Sequence, residues 1–386
     1  MASKHYRIGV LFSNGGPYGV VSGSMRNGAL LAFDEIARDS SYDFTLEPVT
    51  VDPAGEPARY PQLGAALLLQ GIRHVVGCYT SSSRKDVIPL FEKYDSLLWY
   101  PSHYEGFESS TNVIYTGAAP NHHIIPLIQY LLAHMGKRAY CVGSNYIWSW
   151  ENNRILREGL NAAGGSVIAE RYFPVGETDH SKVIQAILET RPDFVFNTLI
   201  GTSAYYFFRA FRATCGGCGI DQASTIPIAS CSLSEPELAE IGPGAMDGHI
   251  SSSVYFSTIE TETNRRFVRD YGDMFPSGPS VSADAEASYV AVKLLAASIA
   301  AAGSDDVDAV RHVIAQQRIE APQGPVWIDD QTSHAYLTPR IGRSNTGGGF
   351  EVVFAAGQPV RPDPYLVQTT PRYATLARRP KLMLVK

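Results

Sequence analysis

The sequence predicts an α/β fold of two doubly wound, Rossmann-like lobes with a ligand cleft between them, and three observations predict it. Short β-rich runs alternate with amphipathic helical stretches, the alternation restarts near residue 139, and 386 residues exceed the roughly 100–200 of one ordinary domain.

The first unit opens with RIGVLF (7–12) and a Gly-rich loop. A helix over 26–38 follows, in which Leu30, Leu31, Phe33 and Ile36 mark one face. FTLEPVTV (44–51) passes through the turn residues 52–55 into a helix over 56–70. HVVGC (74–78) and a Ser-rich loop precede a helix over 82–94; LLWY (97–100), NVIYT (112–116) and a helix over 121–135 complete the set. Strands alternating with helices of this length predict right-handed crossovers on a parallel sheet.

The second unit starts at AYCVGS (139–144). A helix over 151–163, a strand over 167–173, a helix over 181–189, FVFNTLIG (194–201) and a helix over 203–214 repeat the rhythm. IPIAS (226–230), a helix over 234–241 and a strand over 249–253 come next, then an Ala-rich helix over 283–302, a shorter one over 306–317 and a strand-like tail. The expected division is an N-terminal lobe over 1–120, to which part of 255–330 returns, and a C-terminal lobe over 121–250 with part of 325–365. Residues 366–386 form a tail, and the apolar residues at 365–367 and 382–385 leave open whether it packs back or mediates assembly into a homo-oligomer.

Composition excludes several classes. With 32 Lys+Arg against 38 Asp+Glu the net charge is −6, and no polybasic block exists to meet nucleic acid directly. No run approaches 18 uninterrupted apolar residues, so no membrane span is expected. The apolar run 8–12 is too short for a secretory h-region of about 7–15 residues, so the expected location is cytoplasmic, or extracytoplasmic if a signal peptide has been removed. Five cysteines are odd in number and sparse, as in a reducing compartment.

Candidate chemistry sits in loops that follow strands, where open α/β sheets present their ligands. Tyr79, Thr80, Ser81, Ser82 and Ser83 meet a helix start; the hydroxyls cap the helix or cradle a ligand oxygen. Tyr100, Ser102 and His103 follow the next strand and can face Ser81, with His103 a polar contact rather than a base. Tyr146 and Trp148 alternate with Ile147 at a strand exit, as lobe-packing groups or cleft walls. Enzyme signatures are missing: there is no G-x-S-x-G elbow, no Walker A lysine and no H-E-x-x-H. Cys215-Gly216-Gly217-Cys218 lacks a second ligand pair for zinc and closes a helix instead of opening one, so neither a metal nor a redox site is expected, nor any cofactor.

Several segments together carry a resemblance: DPAGEPARY (52–60), VGCYTSSSRK (76–85), YPSHYEGFE (100–108), YTGAAPN (115–121), GSNYI (143–147), EAPQGPV (320–326) and RPDPY (361–365). Over about residues 6–368 the chain resembles the type I periplasmic-binding-protein fold. Within it the likeness is to the branch holding AmiC-like amide-sensing regulators of aliphatic amidase operons and the urea or short-amide binding components of ABC transporters. The resemblance implies a non-enzymatic sensor for short aliphatic amides or urea, a negative regulator of amidase expression acting through a cytoplasmic, antiterminator-type partner. Its alternative is the substrate-binding component of a urea or amide transporter.

Carried over by motif, the ligand contacts are Ser81, Tyr100, Ser102 and Tyr146, with Tyr79 and Trp148 as walls and His103 beside them. Gly201, Thr202 and Ser232 join from the second lobe. Ser102-His103 stands where the family has Thr-Pro, Trp148 where it has Tyr, and Asn145 replaces an Asp, which puts the acyl-chain preference in question. A neutral amide offers one carbonyl acceptor and N–H donors, so such a site needs hydroxyls and backbone groups, not a counter-ion.

Overall fold

The computed structural model describes residues 4–369. Five strands, Lys4–Leu11 (β1), Phe44–Val51 (β2), His74–Gly77 (β3), Leu97–Tyr100 (β4) and Val113–Tyr115 (β5), form a fully parallel sheet in the order β2-β1-β3-β4-β5. β3 and β4 are buried along their whole length, as expected of strands covered by helices on both faces.

The second sheet contains Arg138–Ser144 (β6), Ser166–Phe173 (β7), Phe194–Thr198 (β8), Ile228–Ser230 (β9) and Ile250–Ser253 (β10). Residues Arg318–Ala321 (β11), Gly324–Ile328 (β12) and Ala335–Tyr336 (β13) make a small antiparallel sheet. It joins the first lobe through a bridge from Tyr115 to His334. Arg340–Ser344 (β14) then extends the second sheet antiparallel to β10, and Phe350–Ala355 (β15) pairs antiparallel to β14, giving the order β15-β14-β10-β9-β8-β6-β7.

The Ala-rich helix Ala283–Ala302 belongs to the first lobe, where it crosses helix Gly19–Arg38. The crossing is close because Gly28 has no side chain: a Cβ there would stand 2.1 Å from the Ala285 carbonyl oxygen. Helix Ala283–Ala302 is long and apolar enough to cross a membrane, but most of it is buried inside the protein, with Val290, Val292, Leu294 and Leu295 in the core.

Three local departures from the sequence reading have simple causes. Helix Glu262–Met274, which the sequence reading passed over, is capped by Thr261 accepting from the Asn264 N–H, and buries Phe267 and Tyr271 one turn apart. Helix Thr202–Gly217 runs through the two glycines expected to stop it, leaving Cys215 buried and Cys218 as the exposed cap. Segment 121–135 splits into a 3₁₀ turn, Pro120–His122, and helix Ile124–His134. Of the expected tail 366–386, residues 370–386 lie outside the described residues; Leu366 is buried against the second lobe.

Candidate functional site

The strand ends of the two lobes meet around a small, narrow cavity. Tyr79 and Ser81 follow β3, Ser102 and His103 follow β4, Tyr146 and Trp148 follow β6, Ile200 follows β8, and Ser232 follows β9. Every lining residue therefore stands past the carboxyl end of a parallel strand.

Ser81 opens helix Ser81–Lys93. Thr80 is its N-cap, accepting from the Ser83 N–H at 3.2 Å, and the first-turn N–H of Ser81 has no intrahelical acceptor. The Ser81 hydroxyl donates to Glu105 Oε2 at 2.5 Å. Behind it, Arg84 is fully buried: Nη2 donates to Glu105 Oε1 at 2.9 Å and Nε to Glu108 Oε1 at 2.8 Å, while Lys85 reaches Glu108 Oε2 at 2.7 Å. The guanidinium lies over the rings of Tyr100 and Tyr104, 4.7 and 4.8 Å from their centroids. Burial opposes ionisation of Glu108, but Arg84 and Lys85 outweigh it and lower its pKa. Arg84 Nη1 has no hydrogen-bond partner among the described residues, while the two carboxylates balance the charges of Arg84 and Lys85.

On the opposite wall His103 Nδ1 lies 3.1 Å from Asp284 Oδ1. Burial works against a charge on His103, yet the Asp284 carboxylate and its hydrogen bond, with Glu237 and Glu105 farther off, raise its pKa. The His103 ring meets Trp148 edge to face at 5.4 Å. Tyr146 and Trp148 lie 6.4 Å apart with a 27° angle between their rings. Burial pushes the phenols of Tyr79 and Tyr146 well up, so both remain neutral hydroxyls. Trp148 Nε1 is buried with no hydrogen-bond partner among the described residues.

Tyr79, Ser81, Ser102, His103, Tyr146, Trp148 and Ser232 are brought together; Tyr100, Gly201 and Thr202 stand outside the lining. The Tyr100 hydroxyl is turned away, donating to the Tyr79 carbonyl at 2.9 Å, and so fixes the Tyr79 backbone. The Thr202 N–H donates to the Pro17 carbonyl of the first lobe at 3.0 Å, and Gly201 lies against the same carbonyl with φ +56°. These two are a lobe-to-lobe contact. Tyr146 is the N-cap and Trp148 a first-turn residue of helix Ile147–Ala162, not alternating positions of an extended exit.

Sequence reasoning missed Ile200, Glu105 and Asp284. An isolated isoleucine carries no chemical signal, and the two carboxylates reach the site from 24 and 181 residues away from their partners. Cys215 and Cys218 are free thiols, and no group of three or more His, Cys, Asp or Glu suited to a metal exists among the described residues.

Two lobes, the first built on a parallel sheet and the second on a largely parallel one, closing strand-end loops over a small cavity define a cleft-type ligand-binding protein. The profile of the periplasmic binding protein domain matches residues 6–371, and the chain belongs to that family. It is a binding protein, not an enzyme. A "Leu/Ile/Val-binding protein homolog 6" of Brucella abortus (strain 2308) is 22% identical over 336 residues, 85% of this chain and 84% of that one. Among solved structures, an ABC-transporter solute-binding protein from R. palustris in complex with 4-hydroxybenzoate superposes with a TM-score of 0.81 at 18% identity. That match covers 92% of this chain and 98% of that one. A branched-chain amino acid transporter substrate-binding protein of Streptococcus pneumoniae in complex with isoleucine gives 0.77 at 20% identity, covering 93% and 100%.

Proposed function

We propose that the chain captures a short neutral amide or urea by closing its two lobes over the cavity at Ser81. The observation that carries this reading is the Ser81–Glu105 hydrogen bond. A serine hydroxyl has one proton; with that proton committed to Glu105, Ser81 offers a ligand lone pairs only. The Ser102 hydroxyl likewise donates to a backbone carbonyl, at 3.3 Å. A lining rich in acceptors suits a ligand that brings N–H groups, and the first-turn N–H of Ser81 and the free Trp148 Nε1–H suit its one carbonyl oxygen. A carboxylate brings no donor and finds no uncommitted cation, since Arg84 is neutralised by Glu105 and Glu108 and His103 by Asp284. The narrowness of the cavity and its aromatic walls favour small ligands over leucine or a benzoate.

Two cellular roles extend this reading. Relatives described as ABC-transporter solute-binding proteins support the first, delivery of the ligand to a transporter outside the cytoplasm. The segments DPAGEPARY and RPDPY support the second, control of amidase expression in the cytoplasm through an antiterminator-type partner.

Calorimetric titration with acetamide, propionamide, butyramide, urea, leucine and benzoate tests the binding step. Micromolar binding of an amide or urea, about −8 kcal/mol, is expected; binding of leucine or benzoate alone would overturn the reading. Secretion of the full-length gene product separates the two roles: export favours the transporter, and amide-dependent release of a co-purifying RNA-binding protein favours the sensor.

A further inference from the structure

A second small space adjoins the first. His103 lines both. Apart from the groups already described, its walls are small and largely apolar, with Pro101, Ala118, Val254 and Ala287 facing it beside Cys231 and His123. We propose that His103 is the bulkhead that sets ligand length, separating the amide compartment from an adjoining compartment able to take the acyl chain of a longer linear amide. The inference rests on the amide reading of the first cavity and adds which residue limits the substrate class.

The geometry makes His103 a fixed wall. Its ring meets Trp148 at 5.4 Å on the side of the first cavity and His123 at 6.1 Å on the side of the second, edge to face in both cases. Its Nδ1 and its backbone N–H both address Asp284 Oδ1, at 3.1 and 3.4 Å, so ring and loop are tied to one carboxylate in the first turn of helix Ala283–Ala302. His123 is held in turn, with Nε2 donating to the Tyr104 carbonyl at 3.0 Å and its own carbonyl accepting from Ser252 at 2.7 Å. A ring pinned in this way cannot swing aside for a longer chain. Its removal joins two spaces that are each too small for a five-carbon amide.

The test compares acetamide with pentanamide by calorimetry. His103→Ala is paired with Asp284→Asn so that no carboxylate is left buried without its partner; His103→Ser, whose hydroxyl still reaches toward Asp284, serves if that pair folds poorly. The wild-type chain is expected to bind acetamide at least tenfold more tightly than pentanamide. Either opened variant is expected to gain tenfold or more for pentanamide, since each accommodated methylene is worth a factor of about 10 or more. His103→Gln keeps the wall and the donor to Asp284, and is expected to keep the wild-type limit. Adding Ala118→Leu to the opened variant refills the second space and is expected to abolish the gain.

Unchanged pentanamide affinity in the opened variants, a gain that survives Ala118→Leu, or equal binding of both amides by the wild type would each overturn the inference while leaving the amide reading standing. A wild-type chain that binds no amide or urea would overturn both.

Discussion

The Ser81 hydroxyl donates its only proton to Oε2 of Glu105, over 2.5 Å. Glu105 accepts at the same time from Arg84, so the ligand-facing serine is one end of a buried chain, Ser81–Glu105–Arg84–Glu108–Lys85, that runs out to the surface. The chain orients a neutral hydroxyl with ionic groups that the ligand never meets.

Removing that hydroxyl should therefore weaken amide binding without unfolding the protein. Ser81→Ala loses one neutral hydrogen bond to a ligand N–H, about 1 kcal/mol, and a several-fold rise in Kd for acetamide is expected. Calorimetry beside a thermal melt checks it; an unchanged Kd would mean that Ser81 does not face the ligand.

Arg84 carries more of the stability than of the affinity. Its side chain is fully buried between two carboxylates and two tyrosine rings, so Arg84→Met leaves Glu105 and Glu108 facing each other with only Lys85 nearby. Breaking a buried ion network at one member costs about 3–5 kcal/mol, whereas replacing all its charges is far milder. The expected result in urea denaturation is a large loss for Arg84→Met and substantial recovery in Arg84→Met/Glu105→Gln/Glu108→Gln. Equal losses in both would show that packing, not charge, is what Arg84 supplies.

Much of this architecture is legible in the sequence because it is locally encoded. LLWY, FTLEPVTV and the helix over 283–302 have the bounds found in the structure, since apolar runs, turn residues and the Ser282 cap all act within a few residues. The sequence expects part of 325–365 in the C-terminal lobe, but the register of β14 is not legible, because its pairing with β10 joins Ile250 to Arg343 across the chain. The same limit applies at the cavity. Residues past strand ends can be listed from sequence, but whether Tyr100 faces in or out depends on the Tyr79 carbonyl it reaches.

Gly201 and Thr202 were expected at the ligand, and their actual position predicts a different phenotype. A Cβ on Gly201 would lie 1.9 Å from the Pro17 carbonyl oxygen of the other lobe, and φ +56° is already unfavourable for alanine. Gly201→Ala should oppose the closed form, lowering apparent affinity by the fraction of closed molecules lost. Small-angle scattering should show the compaction produced by saturating acetamide in the wild type and its reduction in the variant. Undiminished compaction would place closure elsewhere.

Acid sensitivity follows from histidines buried as neutral rings. Burial holds His74, His122 and His249 at about 4, and His123 and His334 at about 3, against about 6.5 when unfolded. The sign is fixed by which state binds protons. Between pH 6.5 and 4 the unfolded chain takes up protons that the folded chain refuses, so the stability these groups contribute is complete above pH 6.5 and is lost as pH falls. Each contributes a slope of about 1.4 kcal/mol per pH unit in that window. His103, whose pKa is raised, acts in the opposite direction, being fully stabilising below pH 6.5 and less so as pH rises through its folded value. Glu235, Glu237 and Glu286, whose carboxyl pKa values burial raises, the last two to about 7, act in the same direction as His103, so the net slope is the difference between the two sets. His122 offers the cleanest single test, because its Nδ1 accepts from the Ala119 N–H and its Nε2 donates to the Val360 carbonyl, an arrangement that only the neutral ring can make. His122→Asn keeps an acceptor for Ala119 and cannot titrate. Its melting temperature should start lower than that of the wild type at pH 7.5 and fall less steeply toward pH 4.5, so that the two curves converge. Parallel curves would mean that His122 is protonated in both states or in neither, and that the acid lability comes from carboxylates instead.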